Sequence, residues 1–486
     1  MQDKVQKLVE ELRAQYGLPS IAASVHFAGE TFFCCDGFAD MERKVPATPD
    51  TIYPIASTSK SFAATALCIL ADEGKLKLDD KIRQHLPEFV LLDESLACEL
   101  TIRDALTHRT GLPRHDLMWM ILEETTVADV VHRMRYLPSA FPLRTRMQYQ
   151  NHMFVLASHL VEKITGTSWH AFIREKILAP LGMDSTFPLA GDYRGKGLDA
   201  EAMPYGDRGD GPKRIPYLPS DHVAGAGCIS STVRDMDKWA RLHLNRGELD
   251  GVRIFSEEMA REMHSPQTII KPGEFMPPGF EFDEIDFPNY GMGWFVESYR
   301  GHKFVHHGGT VNGFESLAGF LPREGLAFCV LTNLDGNMAP SAFGYLVCDL
   351  ALGLSEIDWG TRWKDATDAL LGQMRKATED VDGKLRDAAP LPREAKDYAG
   401  AYTHPGYGRV AVEEAEGGLA VRLGPDRCTL KHLRHGQFFL DYGDGRAWLP
   451  VKFDCDMDGG VCKAMILLES LTGWIEFEKE VEGQTV

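Results

Sequence analysis

The feature that most constrains this chain is a change of texture at Pro390-Leu391-Pro392. Beyond it, short strand-like runs at 408–413, 418–423, 437–441, 448–453 and 461–468 are broken by Gly and Asp, with no helical run between them. Glu416-Gly417-Gly418 and Asp458-Gly459-Gly460 read as hairpin breaks. Such a stretch is expected to form a small antiparallel β-barrel or sandwich over residues 390–486.

Upstream the pattern is mixed. Residues 20–27 and 30–35 read as two strands around Ala28-Gly29, and 57–73 as a helix stopped by Gly74. Shorter helices are expected at 101–106 and 127–134, and a longer one at 152–164. Strand texture returns at 293–297, 303–306, 315–320 and 325–332. Strands at both ends of a region with helices between them predict one α+β domain, residues 1–355, whose first and last strands share an antiparallel sheet. A charged, helix-prone linker is expected at 356–389.

The chain has 486 residues, ordinary globular composition and a formal net charge of −19. That charge argues against nucleic-acid binding, which needs clustered Lys and Arg, and suits a solvated acidic surface. No apolar run approaches the ~18 residues of a membrane span, and the N-terminus lacks the apolar core of a secretory signal. The ten cysteines are scattered without C-x-x-C spacing, which fits reduced thiols and a cytoplasmic location. There is no G-x-S-x-G, H-E-x-x-H, P-loop or complete G-x-G-x-x-G, so neither a metal nor a cofactor is implied.

Ser57-Thr58-Ser59-Lys60 is the single S-x-x-K. A serine at a helix start is commonly only a cap, but Lys60 follows one turn later on the same face. An amine that close, in a partly buried cleft, loses part of its affinity for a proton and can take one from the hydroxyl. The helix N-terminus adds positive partial charge where an oxyanion would form. Tyr149-Gln150-Asn151 is the one Y-x-N; Tyr149 could relay a proton and Asn151 offer an amide donor to a substrate or to Lys60. His-x-Gly occurs in the run His306-His307-Gly308-Gly309 and again at His404-Pro405-Gly406. The first is preferred, because paired glycines in a strand allow a substrate backbone to approach and add as a strand.

Together the three motifs resemble the signature of the penicillin-recognising serine hydrolases, S-x-x-K, Y-x-N and K-T-G or a variant. The likeness is greatest to the class C β-lactamase branch, with its D-aminopeptidases, DD-carboxypeptidases and related esterases. It extends to the segment from Thr101 through Thr107-His108-Arg109-Thr110-Gly111 to Pro113, and to Pro180-Leu181-Gly182-Met183. Ala224-Gly225-Ala226-Gly227 and Tyr290-Gly291-Met292-Gly293-Trp294 belong to it too. It covers about residues 7–350. The resemblance implies Ser57 as acylated nucleophile, with proton transfer shared by Lys60 and Tyr149. It implies substrate contacts from Asn151, His307, Gly308 and Gly309, and an oxyanion hole from the backbone N–H groups of Ser57 and Thr310. His307 departs from the usual Lys. A neutral histidine offers no cation to a substrate carboxylate, so weak β-lactamase activity is expected.

The expected activity is cleavage of amide bonds in small peptides or D-amino-acid derivatives, without a cofactor. Three alternatives stay open: an esterase, a peptide-cyclising acyltransferase and a non-catalytic scaffold. Self-association stays open as well. The C-terminal region resembles the lipocalin-like barrels of related peptidases, which limit what enters the cleft.

Overall fold

The structure is a computed structural model that describes residues 1–122, 125–196, 200–416, 418–442 and 447–480. The expected break at Glu416-Gly417-Gly418 therefore lies partly outside the described residues, as does the extreme C-terminus. The chain divides into two compact units: residues 1–89, 95–111 and 141–367, and residues 90–94, 112–140 and 368–486.

The first unit opens with helix α1 (Gln2–Tyr16) and strands β1 (Ser20–Phe27), β2 (Glu30–Asp40) and β3 (Val45–Pro46). Helices α2 (Ser59–Asp72), α3 (His152–Thr165) and α4 (Val233–Leu244) follow. Strands β4 (Thr268–Ile269), β5 (Ile285–Tyr290), β6 (Phe295–Tyr299), β7 (His302–Val311), β8 (Phe314–Leu321) and β9 (Leu326–Thr332) complete a sheet, and helix α5 (Ala339–Leu352) comes next. The strand order is β4-β5-β6-β7-β8-β9-β1-β2-β3, with every pairing antiparallel. β1 and β9 are neighbours, with Ser24 opposite Cys329. Ala28 and Gly29 both take positive φ, the backbone of a tight turn matched to strand twist. Every residue of β8 and β9 is buried, so the centre of the sheet is covered on both faces. α4 and α5 pack on these strands.

α2 is buried continuously from Ser59 to Leu70, which suits a central helix rather than an amphipathic surface one. It ends where Gly74 takes φ +70° and the Gly74 and Lys75 N–H groups bond to the carbonyls of Ala71 and Leu70.

In the second unit eight strands close into a barrel: β10 (Gly400–His404), β11 (Gly408–Ala415), β12 (Gly418–Leu423), β13 (Asp426–Arg434), β14 (Gln437–Tyr442), β15 (Ala447–Cys455), β16 (Val461–Glu469) and β17 (Gly473–Lys479). Tyr402 pairs with Lys479 to close the ring. Along β13, buried Cys428, Leu430 and His432 alternate with exposed Thr429 and Lys431, the period of a sheet with one face inward.

Two boundaries differ from the sequence reading. Residues 112–140, expected within the first domain, group with the barrel. Here His115 is buried, with Nδ1 2.8 Å from the Tyr407 hydroxyl and its backbone N–H donating to Glu469 Oε2 (3.1 Å). Met118, Val130 and Met134 are buried as well. The expected linker is mostly one helix, α6 (Trp359–Leu385), and the division falls inside it, between Thr367 and Asp368. None of the ten cysteines is held in a disulfide. Among the described residues, no helix is long and apolar enough to cross a membrane.

Candidate active site

Ser57 sits in a single 3₁₀ turn, Ala56–Thr58, just ahead of α2. The expectation that it begins the α-helix is corrected by two residues: the α-helix starts at Ser59, and Thr58 is the residue at its N-cap. The turn is fixed on both sides. Tyr53–Pro54 pairs with Ser230–Ser231, and the Ile55 N–H donates to Ile229 O (2.9 Å). Ala56 holds φ +46°, which an L-residue adopts only under surrounding constraint. Ser57 is half-buried, whereas Thr58, Ser59, Lys60 and Ser61 are buried.

Lys60 is fully buried. Its Nζ donates to Ser57 Oγ (3.0 Å), Asn151 Oδ1 (2.7 Å) and Ala226 O (2.9 Å). Asn151 thus turns its carbonyl oxygen to Lys60. The sequence reading of its amide as a donor to Lys60 is corrected, because an amine carrying N–H groups needs acceptors. Ala226 reaches the site because Gly225 lets this segment run close to α3. A Cβ on Gly225 would stand 2.4 Å from Phe154 O.

The Tyr149 ring lies 5.0 Å from Lys60 Nζ and 4.1 Å from the His108 ring. His108 holds the segment before α3: its carbonyl accepts from Gln148 N–H (2.7 Å) and its Nδ1 from Gln150 N–H (3.3 Å). Nearby, the buried Asp104 carboxylate receives Arg109 Nε (2.6 Å) and Arg144 Nη2 (2.6 Å). Asp104 is the first-turn partner of Thr101 in a capping box. Although burial opposes it, hydrogen bonds from Arg144, Thr101 and Arg109 hold the carboxyl below its usual pKa.

β7 supplies the third side. His307 is buried, with Nδ1 2.6 Å from Gly308 O and Nε2 2.9 Å from the Tyr290 hydroxyl. A carbonyl can only accept, so Nδ1 carries the proton and the tyrosine donates to Nε2. Burial first, and the Lys60 cation second, push the imidazole well below its ordinary pKa, leaving it neutral at pH 7. The ring therefore faces Tyr290, not solvent.

Gly309 meets a steric demand that the sequence reading assigned to a substrate. A Cβ there would lie 2.2 Å from Ile55 O and 2.7 Å from Ser57 N, so it is the chain's own backbone that needs the space. Thr58 Oγ1 and Ser316 Oγ bind the same seam; Ser316 Oγ donates to Ile55 O (2.8 Å) and lies 2.9 Å from Thr58 Oγ1. Thr310, next along β7, is exposed, and its hydroxyl donates to Glu315 Oε2 (2.6 Å).

Ser57, Lys60, Asn151, Tyr149 and the 307–310 strand thus converge, although they lie as much as 253 residues apart. Sequence reasoning did not single out His108, Tyr290, Glu315, Ser316 or Phe275 as site residues. The first two lay inside segments already noticed for resemblance. Glu315 and Ser316 become visible only through strand register. Phe275, 37% exposed with its ring 5.3 Å from Tyr149 and 4.7 Å from Phe295, lies outside any motif.

A family model described as beta-lactamase matches residues 5–347, and one described as a domain of unknown function (DUF3471) matches residues 386–483. An unguisins hydrolase of Aspergillus campestris is 28% identical over 99% of this chain and 92% of its own length. The D-amino acid amidase of Ochrobactrum anthropi SV3, solved with L-phenylalanine amide, is 25% identical, covering 72% of this chain and 97% of that one, with a TM-score of 0.60. The octameric penicillin-binding protein homologue of Pyrococcus abyssi shares the fold across 98% of this chain and 99% of its own, with a TM-score of 0.62 and 21% identity. With a nine-stranded antiparallel sheet, a serine–lysine pair one turn apart and a match over most of its length, the chain belongs to the beta-lactamase family and is a serine hydrolase of that kind.

Proposed function

We propose that Ser57 forms an acyl-enzyme with amide substrates, small peptides or D-amino-acid derivatives, and that Lys60 and Tyr149 share its proton transfers. The observation that carries this reading is the set of partners around Lys60 Nζ. Asn151 Oδ1 and Ala226 O can only accept, and together they use two N–H groups. As an ammonium Lys60 donates to all three; once it gives up one proton, two N–H groups stay with Asn151 and Ala226 and the lone pair turns to the Ser57 hydroxyl. In this scheme the Ser57 proton passes to Lys60 as Oγ attacks the substrate carbonyl carbon. The oxyanion is held by the N–H groups of Ser57 and Thr310. Collapse breaks the C–N bond, and the leaving amine takes the proton back through Lys60 or Tyr149. Water then attacks the ester carbonyl, releases the acid and restores Ser57. Attack by an amine in place of water would make the same site an acyltransferase.

Three observations support the substrate class. Neutral His307 offers no cation for a carboxylate. Phe275 presents a partly exposed aromatic surface beside Tyr149, suited to an apolar side chain. The relatives named above include a hydrolase of unguisins and an amidase of D-amino acids.

A panel of D- and L-aminoacyl p-nitroanilides with p-nitrophenyl esters tests this assignment. Turnover of anilides that is lost in Ser57→Ala is expected. Ester turnover alone would make the chain an esterase, and absence of Ser57-dependent fluorophosphonate labelling would leave the scaffold reading. Rapid nitrocefin turnover would contradict the role given to His307. Phe275→Ala is expected to raise KM about three- to tenfold for bulky apolar substrates and to leave small ones unchanged.

A further inference from the structure

Glu315 is a buried acid that the mechanism above does not use. It lies on β8 directly opposite Thr310 on β7. Side chains alternate along a strand, and position 309 faces Ile55 and Ser57. The Thr310 side chain therefore points to the other face of the sheet, away from the nucleophile, and there it meets Glu315. One carboxyl oxygen, Oε2, takes the Thr310 hydroxyl at 2.6 Å; the other, Oε1, takes the Gly336 N–H at 3.1 Å. Gly336 belongs to the loop after β9, which is itself pinned where Asp335 N–H donates to Tyr205 O (2.9 Å). The carboxyl thus bridges the working end of β7 to a fixed loop two strands away.

We propose that Glu315 is a positioning residue: it holds Thr310 from behind, so that the Thr310 N–H stays aimed at the oxyanion formed at Ser57. The proposal rests on the reading that Ser57 is acylated and that Thr310 completes the oxyanion hole. Position 310 needs such a brace. Gly308 and Gly309 precede it and leave the strand without side chains to fix its twist. Burial, with Asp335 adding to it, raises the Glu315 carboxyl well above its ordinary pKa. A neutral acid there keeps the Gly336 N–H on its carbonyl oxygen and turns its own O–H to Thr310 Oγ1, so both ends stay tied and no negative charge comes up behind a developing oxyanion. A glutamine has the same two ends: its carbonyl can accept from Gly336 and its amide can donate to Thr310 Oγ1.

The test uses the full-length protein and a p-nitrophenyl ester or anilide that it turns over. Loss of a single oxyanion donor costs about 10²–10³-fold in kcat, so a donor left loosely aimed is expected to cost about 10–100-fold. Glu315→Ala should therefore lower kcat by that amount with KM within about threefold, while Glu315→Gln stays within about threefold of wild type on both. Thr310→Val keeps the backbone N–H but loses the tether; it should fall as far as Glu315→Ala, and the double variant should fall no further. Equal losses in Glu315→Ala and Glu315→Gln would overturn the proposal, as would multiplying losses in the double variant or wild-type kcat in a folded Glu315→Ala. Should Glu315→Ala fail to fold, Thr310→Val alone still decides: unchanged kcat rejects the tether. Ser57→Ala run alongside separates the two levels. If it keeps turnover, the acyl-enzyme reading itself is wrong and this inference goes with it. If it is inactive while the Glu315 variants behave like wild type, only the positioning role is lost.

Discussion

At residues 307–309, His-Gly-Gly lies inside the ten-residue strand β7; at 404–406, His-Pro-Gly ends β10 and turns the chain into β11. The partners differ as much as the settings. His307 binds Tyr290, and Gly309 faces Ile55 and Ser57, all distant in sequence. His404 folds back on its own turn, its Nδ1 accepting the Gly406 and Tyr407 N–H groups at 3.0 Å each. At Gly309 an added Cβ would strike backbone at 2.2 Å, while at Gly406 the nearest atoms belong to the side chains of His404 and Leu137, at 3.1 and 3.2 Å. A three-residue pattern thus takes its meaning from what closes on its glycine: backbone in one case, side chains in the other.

The largest test of that contrast is at the glycines. Gly309→Ala must displace the Ile55–Ser57 backbone, and a loss of at least about 100-fold in the rate of fluorophosphonate labelling is expected. Gly406→Ala should change labelling less than about twofold, because flexible side chains can give way. Equal effects would break the comparison. Next, His307→Ala should lower kcat/KM about 10–100-fold by releasing Tyr290 and unsettling β7. His404→Ala should leave kcat/KM alone and cost about 1–2 kcal/mol of stability, read from chemical denaturation, by leaving two turn N–H groups unpaired. The smallest effect concerns pH. Burial, with the positive charges of His115 and Arg133, lowers His404 to about 4. Its folded pKa lies below the unfolded value near 6.5, so the unfolded chain binds the extra proton as pH falls. Stability should therefore decline from about pH 6.5 towards pH 4, and His404→Ala should flatten part of that slope in denaturation midpoints measured at pH 4.5 and 7.5.

Much of this layout was legible from spacing. Ser57 and Lys60 are three apart, and one helical turn brings them within hydrogen-bond reach. The opening hairpin declared itself through Ala28-Gly29, and the pairing of β1 with β9 followed from strands at both ends of one region. Local patterns could not disclose the pairing partners of β7. Thr310 meets Glu315 because a tight return at Gly313 sets the β7–β8 register, and a slip of one residue would send Glu315 to the opposite face. β5 was missed because only its last residue, Tyr290, is buried, so its apolar signal was weak. Of the two recipients expected for the Asn151 amide, Lys60 was the wrong one, because an amide reads the same in sequence whichever end it turns to the amine.

The membership of residues 112–140 in the barrel unit has a consequence for the order in which this protein is made. A ribosome delivers that segment first, whereas β17, which closes its barrel, follows only at Gly473–Lys479. Buried His115 must therefore wait for its hydrogen-bond partners, Tyr407 made 292 residues later and Glu469 made 354 residues later. Nascent chains halted near residue 389 would carry His115 without either partner, the kind of unfinished segment on which chaperones act.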